Sequence, residues 1–163
     1  MNDVTIRPAT LEDAGPFLRL VEELAVYEKM APPDAEAKAR LIEHLFGPRP
    51  FYQLVLAVKG GRPVGYAAYF FTYSTFVGRR TLYLEDLFVL PEARGDGVGH
   101  KLLVTIARIA LAEGCGRLDL IVLKWNELAH RFYEKHGVKR MEDWALYRLS
   151  GDEIASVAAM PDA

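Results

Sequence analysis

The chain has 163 residues, of which 51% are hydrophobic and 26% charged, so it can bury one sizeable core and is not a disordered polymer. Its formal net charge of −2 gives no support for a general electrostatic nucleic-acid binder, which would show a clustered basic surplus. A single cysteine, Cys115, excludes an internal disulfide and a thiolate metal cage and fits a reducing, cytoplasmic setting.

The first residues, Met1-Asn2-Asp3-Val4, lack a basic segment followed by an apolar core, so no signal peptide is expected. No run approaches the roughly 18 apolar residues of a membrane span, and no membrane partner is expected. Val4 to Arg7 alternates as a strand and stops at Pro8. Thr10 offers a helix N-cap with Glu12 and Asp13 in the first turn, and Phe17, Leu20, Val21 and Leu24 recur at helical spacing up to Tyr27. Ala31-Pro32-Pro33 breaks that helix, and a second is predicted from Asp34 to Gly47-Pro48. Tyr52 to Val58 and Val64 to Tyr73 read as strands around a hairpin turn, Lys59-Gly60-Gly61-Arg62. After a loop at Ser74 to Gly78, Thr81 to Leu90 is a third strand, which predicts an antiparallel meander. A glycine-rich turn leads into a long amphipathic helix, Val98 to Glu113. A buried strand follows at Arg117 to Leu123, then a helix at Asn126 to His136. A last strand is expected at Trp144 to Leu149, with a short helix from Asp152. The predicted order, βααβββαβαβ, makes a single α/β (α+β) domain over 1–163, with a mixed, mostly antiparallel central sheet flanked by helices. Cys115, between Gly114 and Gly116 at a helix-to-strand turn, reads as an inert small residue.

The most informative segment is Leu87-Phe88-Val89-Leu90-Pro91-Glu92-Ala93-Arg94-Gly95-Asp96-Gly97-Val98-Gly99-His100. Glycines at alternate positions let backbone N–H groups approach a ligand closely, and the helix beginning near Val98 adds unpaired N–H groups and the positive end of its dipole. Together they make a site for a phosphate or pyrophosphate, to which Arg94 can add a charge-assisted contact. Neither GxxxxGK[ST] nor GxGxxG is present. Arg94-x-x-Gly97-x-Gly99, after an apolar strand and before a helix, resembles the R/Q-x-x-G-x-G/A signature of the GNAT acetyltransferase superfamily. Asn126 with Ala129, Phe132, Tyr133 and Gly137-Val138 resembles that superfamily's later N-x-x-A-x-x-F/L-Y-x-x-x-G-F segment, with Val138 in place of the common aromatic.

That resemblance implies acetyl-CoA as cosubstrate. Its pyrophosphate would lie on Arg94, Gly95, Asp96, Gly97, Val98, Gly99 and His100, with Asn126 and Tyr133 also at the coenzyme. Leu87, Phe88 and Val89 would form a splayed strand whose N–H groups face the thioester, Phe88 or Val89 polarising its carbonyl. Tyr133 is the implied general acid for the thiolate. Strand alternation puts Glu85 and Asp86 on opposite faces. Glu85 is taken as the amine-binding carboxylate and proton acceptor, directly or through water, and Asp86 as a strand-edge or salt-bridge residue.

From Val4 to about Leu149 the chain is also similar to the diamine acetyltransferase branch, which includes spermidine/spermine and thialysine N-acetyltransferases. The segments that carry this are Ile6-Arg7-Pro8-Ala9, Glu23-Leu24-Ala25-Val26-Tyr27-Glu28, Pro50-Phe51-Tyr52, Tyr69-Phe70-Phe71-Thr72-Tyr73, Tyr83-Leu84-Glu85-Asp86 and Trp125-Asn126-Glu127. The branch implies a tunnel for a small amine lined by Tyr27, Glu28, Glu85 and Glu142, the last just before Trp144. Tyr27 or Trp144 could offer cation–π contacts there. Polyamine-specific members carry an acid after Phe-Thr-Tyr. Here Tyr73-Ser74-Thr75-Phe76 follows, closer to the thialysine type, which leaves lysine-like or short diamine substrates open. A homodimer is implied as well. A peptide or protein N-acetyltransferase and a non-catalytic coenzyme A-binding regulatory domain are the alternatives. His44, His100, His130 and His136 show no metal-ligand grouping with carboxylates, and no metal is expected.

Overall fold

A computed structural model of the chain describes residues 4–161; the Met1–Asp3 part of the leader reading lies outside them. The chain divides into two compact units, one running up to Ile121 and one from Val122 onward.

The first unit is built on a five-stranded sheet in the order β1-β2-β3-β4-β5. The strands are β1 (Val4–Pro8), β2 (Gln53–Lys59), β3 (Arg62–Ser74), β4 (Arg79–Val89) and β5 (Arg117–Leu120). The first four pair antiparallel, whereas β5 runs parallel to β4. That change of direction needs a crossover, supplied by the helix α3 (Val98–Ala112). The β2–β3 turn is the predicted one, with Gly60 and Gly61 at φ 56° and 78°, the paired positive angles of a type I′ hairpin. Pro8 closes β1 instead of preceding its end, and this is tolerated because β1 is an edge strand.

Strand alternation sorts the sheet into two buried faces. On one, Leu54, Leu56, Tyr66, Ala68 and Phe88 pack with Phe17 and Leu20 of α1 (Ala14–Tyr27) and Leu45 of α2 (Ala35–Phe46). Phe17 meets Tyr66 edge-on at 5.3 Å, a ring pair worth about 1 kcal/mol beyond its buried area. Val55, Ala57, Ala67 and Val89 are buried on the other face, where α3 inserts Leu102 and Ile106. Thr10 does begin a helical turn, but a 3₁₀ one over Leu11–Asp13, and α1 starts only at Ala14. Asp34 caps α2 as expected, its carboxylate accepting from the Ala37 N–H at 2.8 Å.

The second unit holds α4 (Glu127–Lys135) and α5 (Asp152–Ala158). Here the sequence expectation needs correcting. Residues 144–149 form no strand, and β5 ends at Leu120, not Leu123. The expected order therefore holds through α4 and lacks its final strand. Trp144 and Tyr147 are 77% and 90% exposed, so neither ladder bonds nor apolar burial stabilises an extended strand there. Alternation in the sequence was a sound signal for β-propensity, but a strand exists only where another accepts its hydrogen bonds.

Candidate active site

Five residues after β4, the chain enters α3 through the glycine turn. Gly95 has φ 89°, and Gly97, at φ 75°, is the left-handed N-cap of α3. Both angles belong to the region where a Cβ is strained, which is why glycine stands there. No side chain caps α3, so the N–H groups of its first turn are presented along the positive end of a 15-residue helix. Val98 and Ala93 are buried and anchor the two sides of the turn, while Gly95, Asp96, Gly97 and His100 are exposed. A left-handed glycine N-cap and an exposed helix start without a side-chain cap are the backbone features that anion binding at a helix N-terminus requires.

Arg94 is more constrained than the sequence suggests. Its Nε donates to the Val89 carbonyl at 2.9 Å, and its guanidinium lies 4.8 Å over the Tyr27 ring and 5.9 Å from that of Phe88. One arginine thus ties the end of β4 to the end of α1. Arg94 therefore places a cation on Tyr27.

β4 outruns its parallel partner. Its parallel pairing with β5 runs from Thr81 to Leu84 and goes no further, whereas its pairing with β3 continues to Val89. The Leu90 N–H bonds Val64, so by alternation Phe88 also faces β3, and Leu87 and Val89 point their backbone groups to the β5 side. The Val89 carbonyl receiving Arg94 agrees with this direction. Leu87 and Val89, not Phe88, therefore turn their N–H groups toward the side that β5 has left.

Just before this segment lies a β-bulge. Ala68 pairs with Asp86 and Tyr69 with Leu84, leaving Glu85 as the extra residue of β4. Tyr83 and Asp86, three apart, consequently share one face, which simple alternation does not give. Asp86 turns to the α1 side, where the Tyr66 hydroxyl donates to its Oδ2 at 3.1 Å. Burial pushes the Asp86 carboxyl up to about 6, helped by the neighbouring Glu85 charge and, more weakly, by Glu28, against the lowering effect of the Tyr66 bond. Burial also raises Glu28. Tyr66 itself is fully buried, and desolvation, reinforced by Asp86, holds its hydroxyl protonated far above the usual range. Glu85 is exposed.

Glu28 is fixed by the way α1 ends. Lys29 adopts a left-handed conformation at φ 59°, so that its N–H reaches Val26 and that of Met30 reaches Ala25. This Schellman ending, built with a lysine where glycine is usual, sets Glu28 on the last turn beside Tyr27. Asp86, Tyr66 and the Arg94–Tyr27 contact were not legible as site features in the sequence. No residue pattern announces a bulge, and Tyr66 reads as one aromatic among many in β3.

In the second unit, Asn126 is the N-cap of α4, its Oδ1 accepting from the Ala129 N–H at 3.1 Å, as predicted. Tyr133 lies on α4 with its ring 5.1 Å from that of Phe132. Glu142 is exposed and pairs with Arg140 at 3.0 Å. Among the described residues, no group of three or more His, Cys, Asp and Glu side chains could hold a metal. Nor is any of their helices long and apolar enough to cross a membrane.

The strand, bulge, glycine turn and uncapped helix define a coenzyme A-type acyl-transfer scaffold. The sequence profile of the Acetyltransferase (GNAT) family matches residues 17–138, and the chain belongs to that family. It is an acetyl-CoA-dependent acetyltransferase. It is 39% identical to thialysine N-epsilon-acetyltransferase of Bos taurus, over 95% of this chain and 97% of the relative. It is 37% identical to the Sus scrofa protein of the same name, over 97% and 99%. Among solved structures, an integron cassette protein from the mobile metagenome of V. cholerae superposes with a TM-score of 0.84 at 25% identity. That match covers 98% of this chain and 99% of the other.

Proposed function

We propose that this chain transfers the acetyl group of acetyl-CoA to a small, lysine-like or short diamine primary amine, by direct attack in a ternary complex. The observation that carries this reading is the pair of acids on the α1 side of β4, the strongly desolvated Asp86 and the partly buried Glu28, whose charge reaches it. A desolvated carboxylate pair attracts and orients an ammonium group, and a carboxyl near 6 is ionised at neutral pH yet basic enough to take a proton. The names of the bovine and porcine relatives point to the same acceptor chemistry.

In the proposed sequence the acceptor ammonium binds against Glu28 and Asp86. It loses a proton to one of these carboxylates, or to Glu85 through water, and its lone pair attacks the thioester carbon. The Leu87 and Val89 N–H groups receive the developing oxyanion. Collapse breaks the C–S bond, and the departing thiolate takes a proton from Tyr133, whose role rests on its match to the family tyrosine. The glycine turn from Arg94 to His100 binds the pyrophosphate, Asn126 supports the coenzyme, and Tyr27, Glu85 and Glu142 complete the amine site.

The whole chain 1–163 is read as one catalytic domain, since the family profile, over residues 17–138, continues from the first unit into the second. We read the protein as a cytoplasmic homodimer. The exposed Trp144, Leu146, Tyr147, Leu149, Ile154, Val157 and Met160 favour a partner surface, which sedimentation would show as twice the monomer mass.

The direct test is thiol release from acetyl-CoA with thialysine, lysine, putrescine, spermidine and a histone-tail peptide. Turnover on one small amine is expected. Turnover confined to the peptide, or coenzyme binding with no turnover on any acceptor, would overturn the reading.

A further inference from the structure

An anion-binding turn should not contain an acid, yet Asp96 stands in the middle of this one, between Gly95 and the N-cap Gly97. Its carboxylate is not spent on helix capping, because no side chain caps α3. Instead its Oδ2 pairs at 2.5 Å with Nζ of Lys59, the last residue of β2, in the neighbouring hairpin. Lys59 is the more buried partner, at 24% exposure against 53%. A second ammonium comes to the same corner of the sheet: Val4 pairs with Lys59 across β1–β2, and its carbonyl accepts from Lys101 Nζ at 2.9 Å.

We propose that Lys59 is a positioning residue of the coenzyme site, which neutralises Asp96 and holds its carboxylate off the pyrophosphate position. The inference rests on the reading of the glycine turn as the pyrophosphate site. An unpaired carboxylate at the N-terminus of α3 competes with phosphate for the same N–H groups and repels its charge at short range. Pairing with Lys59 cancels that charge and directs the side chain toward β2. The turn thereby keeps a residue whose negative charge would otherwise oppose its ligand.

This makes a prediction that a simple structural strap does not. A strap is cut by removing either partner, so both single variants would weaken coenzyme binding. Neutralisation gives the two variants opposite signs. With the full-length protein and coenzyme A in a calorimeter, Lys59→Met should weaken binding about tenfold, and Lys59→Arg should restore it. Asp96→Asn should bind more tightly than the unaltered protein, and Lys59→Met with Asp96→Asn should return to within about twofold of it. With acetyl-CoA and amine under turnover, the Lys59→Met loss should fall on KM for acetyl-CoA and not on kcat.

The proposal is overturned if the double variant binds as weakly as Lys59→Met, because Lys59 would then contact the coenzyme itself. It is equally overturned if both single variants weaken binding alike, or if Lys59→Met changes nothing. A Gly97→Ala variant measured alongside separates the two levels of the argument. Weak binding by Gly97→Ala with an unaffected Lys59→Met removes this inference alone, whereas full-strength binding by Gly97→Ala removes the glycine-turn reading and the inference with it.

Discussion

The Tyr66 hydroxyl donates at 3.1 Å to Oδ2 of Asp86, a carboxylate that burial and its neighbours make hard to ionise. The bond reaches Asp86 because a bulge at Glu85 turns that side chain to the α1 side of the sheet. A packing aromatic of the core thus supports the charge on which acceptor binding is proposed to depend.

Replacing Asp86 by Asn should lower kcat/KM for the amine by about 100-fold, in the range for loss of a positioned acid–base group, with little effect on coenzyme affinity. In the unaltered protein the same parameter should rise with pH through about 6, as Asp86 ionises. A pH–rate series on both proteins checks this, and the limb near 6 should be missing from the Asn variant.

Tyr66→Phe removes the donor that favours the ionised carboxylate, so the raised pKa of Asp86 should climb further. The acidic limb of the amine profile should move to higher pH by roughly half to one unit, at a cost of about 1 kcal/mol in stability. A limb that stays in place would show that Asp86 is not the group titrating.

Stability and activity should part company at this position. The folded-state pKa of Asp86, about 6, lies above the ordinary aspartate value near 4, so between about pH 4 and pH 6 the native state holds the extra proton. Native stability therefore falls as pH rises through that window, and the charged side chain remains a burden at neutral pH. Asp86→Asn should be more stable than the parent at pH 7, on the order of 2 kcal/mol, and no more stable at pH 4. Urea denaturation at the two pH values measures the difference.

Most of the fold was legible because its signals are local. Gly60-Gly61 named a hairpin, Asp34 named a cap, and the alternate glycines after Val89 named a strand-to-helix anion turn. The turn proposed for the donor end was legible as a backbone conformation for the same reason. The acceptor end was not. The bulge at Glu85 depends on the register of β4 against β3, a relation between residues nearly twenty apart, and it reassigned the inward carboxylate from Glu85 to Asp86. The spacing of Arg94 from the glycines marks it as a phosphate ligand, whereas its seat on Tyr27 exists only where the fold brings α1 and the turn together. Residues 144–149 carried a strand-like pattern without a strand to join, and pattern alone cannot report a missing partner.

Gly97→Ala probes the anion turn directly. At φ 75° an alanine is strained by about 1 kcal/mol, although the space beside it is open, so the cost is conformational and not steric. The variant should fold, with a slightly lower melting temperature, but its turn should relax away from the left-handed conformation and draw the first N–H groups of α3 out of line. Coenzyme A affinity should fall by about tenfold or more, seen as a raised KM for acetyl-CoA.

Asp13 tests the anchoring of α1, on which the positions of Tyr27 and Glu28 depend. Its buried carboxylate accepts a two-pronged contact from Arg7 at 2.7 and 2.8 Å, and further bonds from the N–H and hydroxyl of Thr10. The Arg7 guanidinium, first among these, holds the Asp13 carboxyl far below the ordinary range, against the opposing pull of burial. A depressed carboxylate contributes stability that is present above its unfolded pKa, near 4, and is lost as pH falls toward the folded value. Asp13→Asn should therefore cost about 2 kcal/mol at pH 7, a figure kept modest because Arg7 is 42% exposed on its outer side. The deficit should shrink steadily below pH 4, so that acid unfolding curves of parent and variant converge. A deficit that stays constant from pH 7 to pH 2 would mean that the ion pair contributes nothing through its charge.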